Sequence, residues 1–191
     1  MCAACHSPLA DELVPTASSA ALWLGQLDLP ESLGGDVLSA AAPHTKLPGG
    51  CIGCHGKQAA LPSKTDHAFQ VDRALCAECH TSASRARWEQ AKQALTARTR
   101  ALEQVVAQGC GLERAASAAS PPHAQPERRA CRTPALARAR YLLGLVLEDS
   151  AAYEHNAPFA AALLDQVAAA LHERSAESPR SPGSERSSRL P

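Results

Sequence analysis

The chain has 191 residues, and its 19 Lys and Arg balance its 19 Asp and Glu. Because neither sign of charge dominates, the composition gives no argument for a nucleic-acid partner. No run of 18 apolar residues occurs, so we expect no membrane span. Phe, Trp and Tyr number only two each, and the core that the side chains alone can build should therefore be thin.

Residues 1–84 contain three segments in which a pair of cysteines is closed by a histidine. They are CAACH (Cys2, Cys5, His6), CIGCH (Cys51, Cys54, His55) and CAECH (Cys76, Cys79, His80). C-x-x-C-H is the attachment signature of c-type haem, and no C-x-x-C in the chain lacks its histidine. The turn-forming stretches PESLGG, LPGG and LPSKTD predict short helices and loops here, with each motif on its own helical turn.

Residues 85–113 are predicted to form one long helix. Ser84 can cap its start, and Gly109 or Gly111 can end it. The apolar positions recur at helical spacing and predict one buried face, which comprises Trp88, Ala91, Leu95, Leu102 and Val106.

A Pro- and Ser-rich linker is predicted over 114–132, followed by a two-helix segment over 133–174. Thr133 should cap the first helix with Pro134 at its first position. Its predicted buried residues are Leu136, Leu143 and Leu147. Asn156 should cap the second helix, whose predicted buried residues are Phe159, Leu163, Val167 and Leu171. The almost entirely polar tail 175–191 should be disordered.

The three motifs have a direct chemical interpretation as haem sites. Two cysteines three residues apart can form thioethers with the two vinyl groups of one porphyrin, and the following histidine then reaches the iron. His6, His55 and His80 would be these proximal ligands. Three covalently attached haems would fill the core that the side chains cannot, so folding of residues 1–84 should depend on haem.

Each iron that only transfers electrons needs a second axial ligand. The only methionine is Met1, so the remaining histidines are the candidates. His44, His67 and His155 each lie at the edge of a predicted element, where a ring can be aimed inward. We expect these three to be distal ligands, with their pairing left open. His123, in the linker, and His172, beside the tail, are expected to be solvated.

The spacing of the cysteines leaves two other roles open. Cys51, Cys54, Cys76 and Cys79 also make C-x2-C-x21-C-x2-C, a spacing close to that of a zinc ribbon, in which four thiolates hold one zinc. That interpretation leaves the first motif and the three histidines unexplained. Outside the motifs, Cys110 and Cys131 flank the linker and could form a disulfide or remain two thiols.

The chain resembles the periplasmic multihaem cytochromes c of the cytochrome c3 family, which share a superfamily with pentahaem nitrite reductases. PHTKLPGGCIGCHG and PSKTDHAFQVDRALCAECHTS resemble their segments with a distal His ahead of a haem motif. ARARYLLGLVLEDSAAYEHNAPFAAALLDQV resembles their closing segment, where Asp149 precedes a His155-Asn156 pair that opens the last helix. Tyr153 stands where the family has a small residue. The resemblance covers about residues 40–172.

The resemblance implies a mainly α fold with much irregular loop, in which a haem-packed N-terminal part precedes a helical C-terminal part. It implies electron transfer through bis-histidine haems in a respiratory chain, outside the cytoplasm, with redox proteins as partners. Relatives carry an export signal and further motifs upstream, so we expect the chain to begin within a longer protein. The alternative is part of a nitrite- or hydroxylamine-type reductase with its catalytic haem upstream. Related nitrite reductases use C-x-x-C-K at that haem, which is absent here, so an electron carrier is favoured over an enzyme.

Overall fold

Helices account for most of the residues that the computed structural model describes, which are 18–55, 71, 73–111, 131 and 133–177. The five α-helices in these ranges are α1 Ser19–Leu24, α2 Gly50–His55, α3 Ser82–Cys110, α4 Pro134–Glu148 and α5 Ala152–Glu177. The mainly α part of the fold prediction is thereby confirmed. None of the described helices combines the length and the apolar character that crossing a membrane requires.

A small hairpin, which the sequence did not predict, follows α1. Strand β1 (Gln26–Asp28) pairs antiparallel with β2 (Val37–Ser39), and Leu27 lies opposite Leu38. Three-residue strands are too short to show the alternation on which a strand prediction depends. The connection is the PESLGG stretch, which forms a 3-10 helix over Glu31–Leu33 and turns at Gly34 as expected.

The two described haem motifs lie on short helical segments, as predicted. A 3-10 helix over Pro43–Lys46 precedes α2, which carries the whole CIGCH motif. The CAECH motif begins on a 3-10 helix over Arg73–Glu78 and ends in a turn, in which the His80 N–H donates to the Cys76 carbonyl at 2.9 Å.

Helix α3 begins three residues earlier than predicted. Its cap is Thr81, whose side chain accepts a hydrogen bond from the Ser84 N–H, so Ser84 lies within the first turn. Gly111 ends the helix in a left-handed conformation, as one of the two predicted stops. Ala91, predicted to be buried, is exposed. Thr99 is buried in the same face instead, because its hydroxyl bonds to Leu95 O and to the Tyr153 hydroxyl.

Helix α4 begins as predicted, with Thr133 accepting a hydrogen bond from the Leu136 N–H and Pro134 at the first position. The prediction for Leu147 is wrong, since this residue is 44% exposed. Helix α4 is instead buried on most of its surface between α3 and α5. Its described buried residues are Leu136, Ala139, Tyr141, Leu142, Leu143, Leu145 and Val146.

Asn156 caps the main part of α5, as predicted, by accepting a hydrogen bond from the Phe159 N–H at 3.0 Å. The backbone at Asn156 is extended, so the preceding residues of α5 form a separate helical turn. Helix α5 continues to Glu177, which corrects the predicted start of the tail at residue 175. The linker prediction for 114–132 falls almost wholly outside the described residues, as do residues 178–191.

The described core lies where α3, α4 and α5 meet, and α1 packs on α5. Its largest fully buried side chains include Tyr141, Phe159, Leu22, Leu136, Leu142, Leu145, Leu163 and Leu164. At the end of α3, Cys110 forms a disulfide with Cys131, with a Cα–Cα distance of 4.4 Å. The bond settles the alternative that the sequence left open, and it ties α3 to the start of α4.

Candidate metal centre

Four of the histidines singled out in the sequence come together in two pairs. The ring centres of His44 and His80 are 6.0 Å apart, and their planes are inclined at 83°. The ring centres of His55 and His155 are 6.1 Å apart, and their planes are inclined at 52°. Each pair thus joins one histidine of a C-x-x-C-H motif to one histidine predicted as a distal ligand.

The separation within each pair suits two ligands of one metal ion. A metal–imidazole bond is about 2.0 Å long and the ring centre lies roughly 1 Å beyond its nitrogen, so imidazoles on opposite sides of one ion have centres about 6 Å apart. An inclination of 83° is also that of an edge-to-face ring contact, so the separation, and not the inclination, is the relevant observation. By their separation, the two imidazoles of each pair fit as ligands of one haem iron between them.

His44 is oriented by a hydrogen bond that leaves one ring nitrogen available. Its Nδ1 lies 3.1 Å from the backbone carbonyl of Glu154. Since a carbonyl oxygen can only accept, Nδ1 is the donor and carries the proton. In the neutral tautomer with this proton on Nδ1, Nε2 has the lone pair that can bind a metal.

His155 is oriented in the same way by a buried carboxylate. Its Nδ1 donates to Oδ2 of Asp149 at 2.5 Å, and Oδ1 of Asp149 accepts from the Ala151 N–H at 2.9 Å. Burial alone would raise the pKa of Asp149. The hydrogen bond and the positive charge that His155 offers, with further hydrogen bonds from Ala151 and Ser19, outweigh burial and place that pKa below its ordinary value. A carboxylate–imidazole–metal arrangement of this kind is typical of metal-binding histidines.

Trp23 of α1 lies between the two pairs. Its ring centre is 6.1 Å from that of His44, with the planes inclined at 25°, and 6.4 Å from that of His155, with the planes at 83°. One indole thus contacts both of the histidines predicted as distal ligands, and it borders both candidate sites. No sequence signal predicted this position for Trp23, because the residue lies outside every motif.

Helix α3 holds the segment that carries His155. Lys92 forms an ion pair with the side chain of Glu154, and the Thr99 hydroxyl bonds to that of Tyr153. The Trp88 indole N–H also donates to the Tyr153 carbonyl at 3.5 Å. Tyr153 therefore points its side chain into the interface with α3.

The four cysteines of the zinc-ribbon alternative all lie within the described residues, and they do not come together as one group of metal ligands. Within the described ranges, no three side chains of His, Cys, Asp or Glu converge as metal ligands. A zinc ribbon needs four such ligands at one point. A haem iron needs fewer ligands from the protein than the zinc of a ribbon does, and each histidine pair could supply two.

The remaining predicted site residues divide into partly buried, exposed and undescribed ones. Cys76 and Cys79 are exposed, and Cys51 and Cys54 are partly buried. His172, expected to be solvated, is exposed on the last turns of α5. The first motif (Cys2, Cys5, His6), the predicted distal ligand His67 and the linker residue His123 lie outside the described residues.

Comparisons of the chain with protein-family models, with curated proteins and with solved structures found no match. The sequence motifs and the geometry of the histidine pairs therefore carry the functional argument alone.

Proposed function

We propose that the chain is a multihaem c-type cytochrome that transfers electrons outside the cytoplasm. Three haems would be attached covalently at CAACH, CIGCH and CAECH, with His6, His55 and His80 as proximal ligands. His44, His67 and His155 would be the distal ligands. When bound, each haem would supply an iron that accepts and gives up one electron at a time.

The observation that supports the proposal most strongly is the composition of the two histidine pairs. Each combines a motif histidine with a histidine from elsewhere in the chain, at about the separation that one iron requires. Two of the four rings also have Nδ1 bonded to an oxygen acceptor. Because these two rings are held in place, the ligand geometry would change little when the iron gains or loses an electron.

An electron carrier is favoured over a reductase, because a reductase needs an iron with an open axial position for its substrate. Both described pairs provide two imidazoles, and so both irons would be closed. Bis-imidazole ligation also lacks the methionine that raises the potential in other c-type cytochromes. We therefore propose low potentials and small, transient interfaces with other redox proteins.

The test is to express the chain behind an export signal in a host that matures c-type cytochromes. Intact mass and the pyridine haemochrome spectrum count the attached haems. We expect three haems, all low-spin. Substitution of His44, His67 or His155 by Ala should convert one haem to high-spin without detaching it. His172→Ala and His123→Ala are the matched controls and should leave the spectrum unchanged.

The reduced protein is then mixed with nitrite, with hydroxylamine or with a soluble redox protein. Rapid oxidation by the redox protein alone supports an electron carrier. Multiple turnovers with nitrite or hydroxylamine would contradict the electron-carrier proposal and support the reductase alternative. A chain that binds zinc and no covalent haem would overturn both.

A further inference from the structure

We propose a specific pairing of the axial ligands: His155 binds the haem attached at CIGCH, and His44 binds the haem attached at CAECH. The inference depends on the proposed function, because it requires haem at both motifs. It goes beyond that function by stating which distal histidine belongs to which iron.

The pairing differs from what proximity along the chain would suggest for His44. This residue stands only seven positions before Cys51, the first cysteine of CIGCH. Yet the 3-10 helix over Pro43–Lys46 places its ring 6.0 Å from that of His80, the histidine of CAECH. The His44 ring is held there by the Glu154 carbonyl, so its position does not depend on a neighbouring motif residue.

His155 completes the other site from the far end of the chain. Its ring lies 6.1 Å from that of His55, the last residue of α2. Asp149 fixes the His155 ring from the side of Nδ1. The two distal rings therefore have separate anchors, and each faces a different motif histidine.

The pairing has a consequence for how the parts of the chain are joined. The haem at CIGCH would connect α2 to the turn that opens α5, and so would link the N-terminal region to the helical core. The haem at CAECH would connect two segments that both precede α3. Loss of the first haem should therefore loosen the attachment of residues 18–55 more than loss of the second.

The experiment combines removal of one haem with substitution of one distal ligand in the full chain. Cys51→Ser with Cys54→Ser removes the haem at CIGCH, and Cys76→Ser with Cys79→Ser removes the haem at CAECH. Each background then receives His44→Ala or His155→Ala. High-spin haem is measured by optical absorption and electron paramagnetic resonance.

We expect His155→Ala to add high-spin haem only where the haem at CIGCH is present. His44→Ala should add it only where the haem at CAECH is present. The opposite pattern, or a response of both substitutions in both backgrounds, overturns the pairing while the proposed function stands. Absence of covalent haem from the unaltered chain overturns the proposed function itself.

A second measurement keeps all haems in place, in case a motif variant fails to fold. His44→Met and His155→Met retain a distal ligand but change the signal of one haem. When the planes of the two imidazole ligands are inclined at nearly 90° to each other, two d orbitals of the iron lie close in energy. The low-spin signal in electron paramagnetic resonance is then more anisotropic. The His44–His80 site, at 83°, should give the more anisotropic signal, and the His55–His155 site, at 52°, the less anisotropic one.

His44→Met should therefore remove the more anisotropic of these two signals and leave the other, and the signal of the haem at CAACH should be unchanged in both variants. His155→Met should do the reverse. His172→Met, at an exposed position on α5, is the control for the substitution itself and should remove neither. Loss of the more anisotropic signal in His155→Met would overturn the pairing.

Discussion

Oδ2 of Asp149 accepts a hydrogen bond of 2.5 Å from Nδ1 of His155, and the Asp149 side chain is only 4% exposed. A buried carboxylate that meets one imidazole fixes the ring orientation and makes Nε2 a better electron donor. Because the pKa of Asp149 lies below its ordinary value, the group carries its negative charge at neutral pH. The pair therefore fixes the His155 ring in the orientation that the proposed metal ligand requires.

The first prediction concerns this carboxylate. Asp149→Asn keeps the shape of the side chain but removes its charge, so the affinity of His155 for its iron should fall by about 10- to 100-fold. We expect more high-spin haem and a higher reduction potential at one haem, measured by potentiometric titration. Asp165→Asn is the control, because Asp165 is exposed and pairs with Arg98 on α3. Equal effects of the two substitutions would contradict the role given to Asp149.

The second prediction concerns the cap next to His155. Asn156→Ala removes the acceptor for the Phe159 N–H and should lower the free energy of unfolding by about 1 kcal/mol. Asn156→Asp retains a capping oxygen and should restore most of the loss. Chemical denaturation followed by circular dichroism measures both. If Asn156→Ala were as stable as the parent chain, the cap would have no part in fixing the start of the main helix.

Local signals in the sequence located the end of α3 and the caps of α4 and of the main part of α5, but not the start of α3, whose cap is Thr81 and not Ser84. Thr133 with Pro134, Asn156 and Gly111 are each defined by their own chemistry, and each acts as predicted. Burial was harder to predict, because it depends on the partner. Ala91 is apolar but faces solvent, and Thr99 is polar but buried because Tyr153 supplies a hydrogen-bond partner.

The sequence predicts which residues belong to the candidate site, but not how they are arranged. The motifs indicate His55 and His80 as candidate ligands, and the expected second ligand of each iron indicates His44 and His155. Their pairing follows from tertiary structure, because rings far apart in the chain meet only after α1, α2 and α5 have packed. Trp23 carries no sequence signal at all, since an isolated aromatic residue on a short helix is usually part of a core.

The third prediction concerns Gly25, which ends α1 with φ of 65°. A Cβ at this position would lie 2.6 Å from the Ala40 carbonyl oxygen and 2.8 Å from Nδ2 of Asn156. Gly25→Ala combines a strained backbone with these two clashes and should cost more than about 1 kcal/mol of stability. Gly35→Ala is the control, since its backbone is similarly left-handed and its Cβ would meet only the Glu31 Cα at 3.8 Å. Equal losses of stability in Gly25→Ala and Gly35→Ala would show that the contacts of the added Cβ with Ala40 and Asn156 do not affect stability.

The fourth prediction concerns the Cys110–Cys131 disulfide. The bond closes a loop with a sequence separation of 21, and a loop of this size should contribute about 3 kcal/mol by restricting the unfolded chain. Cys110→Ala with Cys131→Ala should lower the unfolding midpoint accordingly. A reductant should do the same to the parent chain and leave the variant unchanged, since thioether bonds to haem are not reduced. A variant as stable as the oxidised parent would contradict the assigned role.

The last prediction concerns Trp23, which contacts both distal imidazoles. Trp23→Ala should leave three haems attached, because the indole is not a ligand. It should also free His44 and His155 to leave their irons more often, so that cyanide or carbon monoxide binds two haems several-fold faster. Trp23→Phe keeps an aromatic face against His44 and should restore most of the slow binding.

Leu24→Ala is the matched control, because Leu24 is the next residue of α1 and is 55% exposed. Stopped-flow absorption measures the rates, and electron paramagnetic resonance shows whether the signals of both haems shift. If binding is equally slow in Trp23→Ala and Leu24→Ala, the indole is packing alone. A change in the binding rate or the signal of one haem only would mean that Trp23 positions a single histidine ring. Its contact with the other histidine would then have no functional effect.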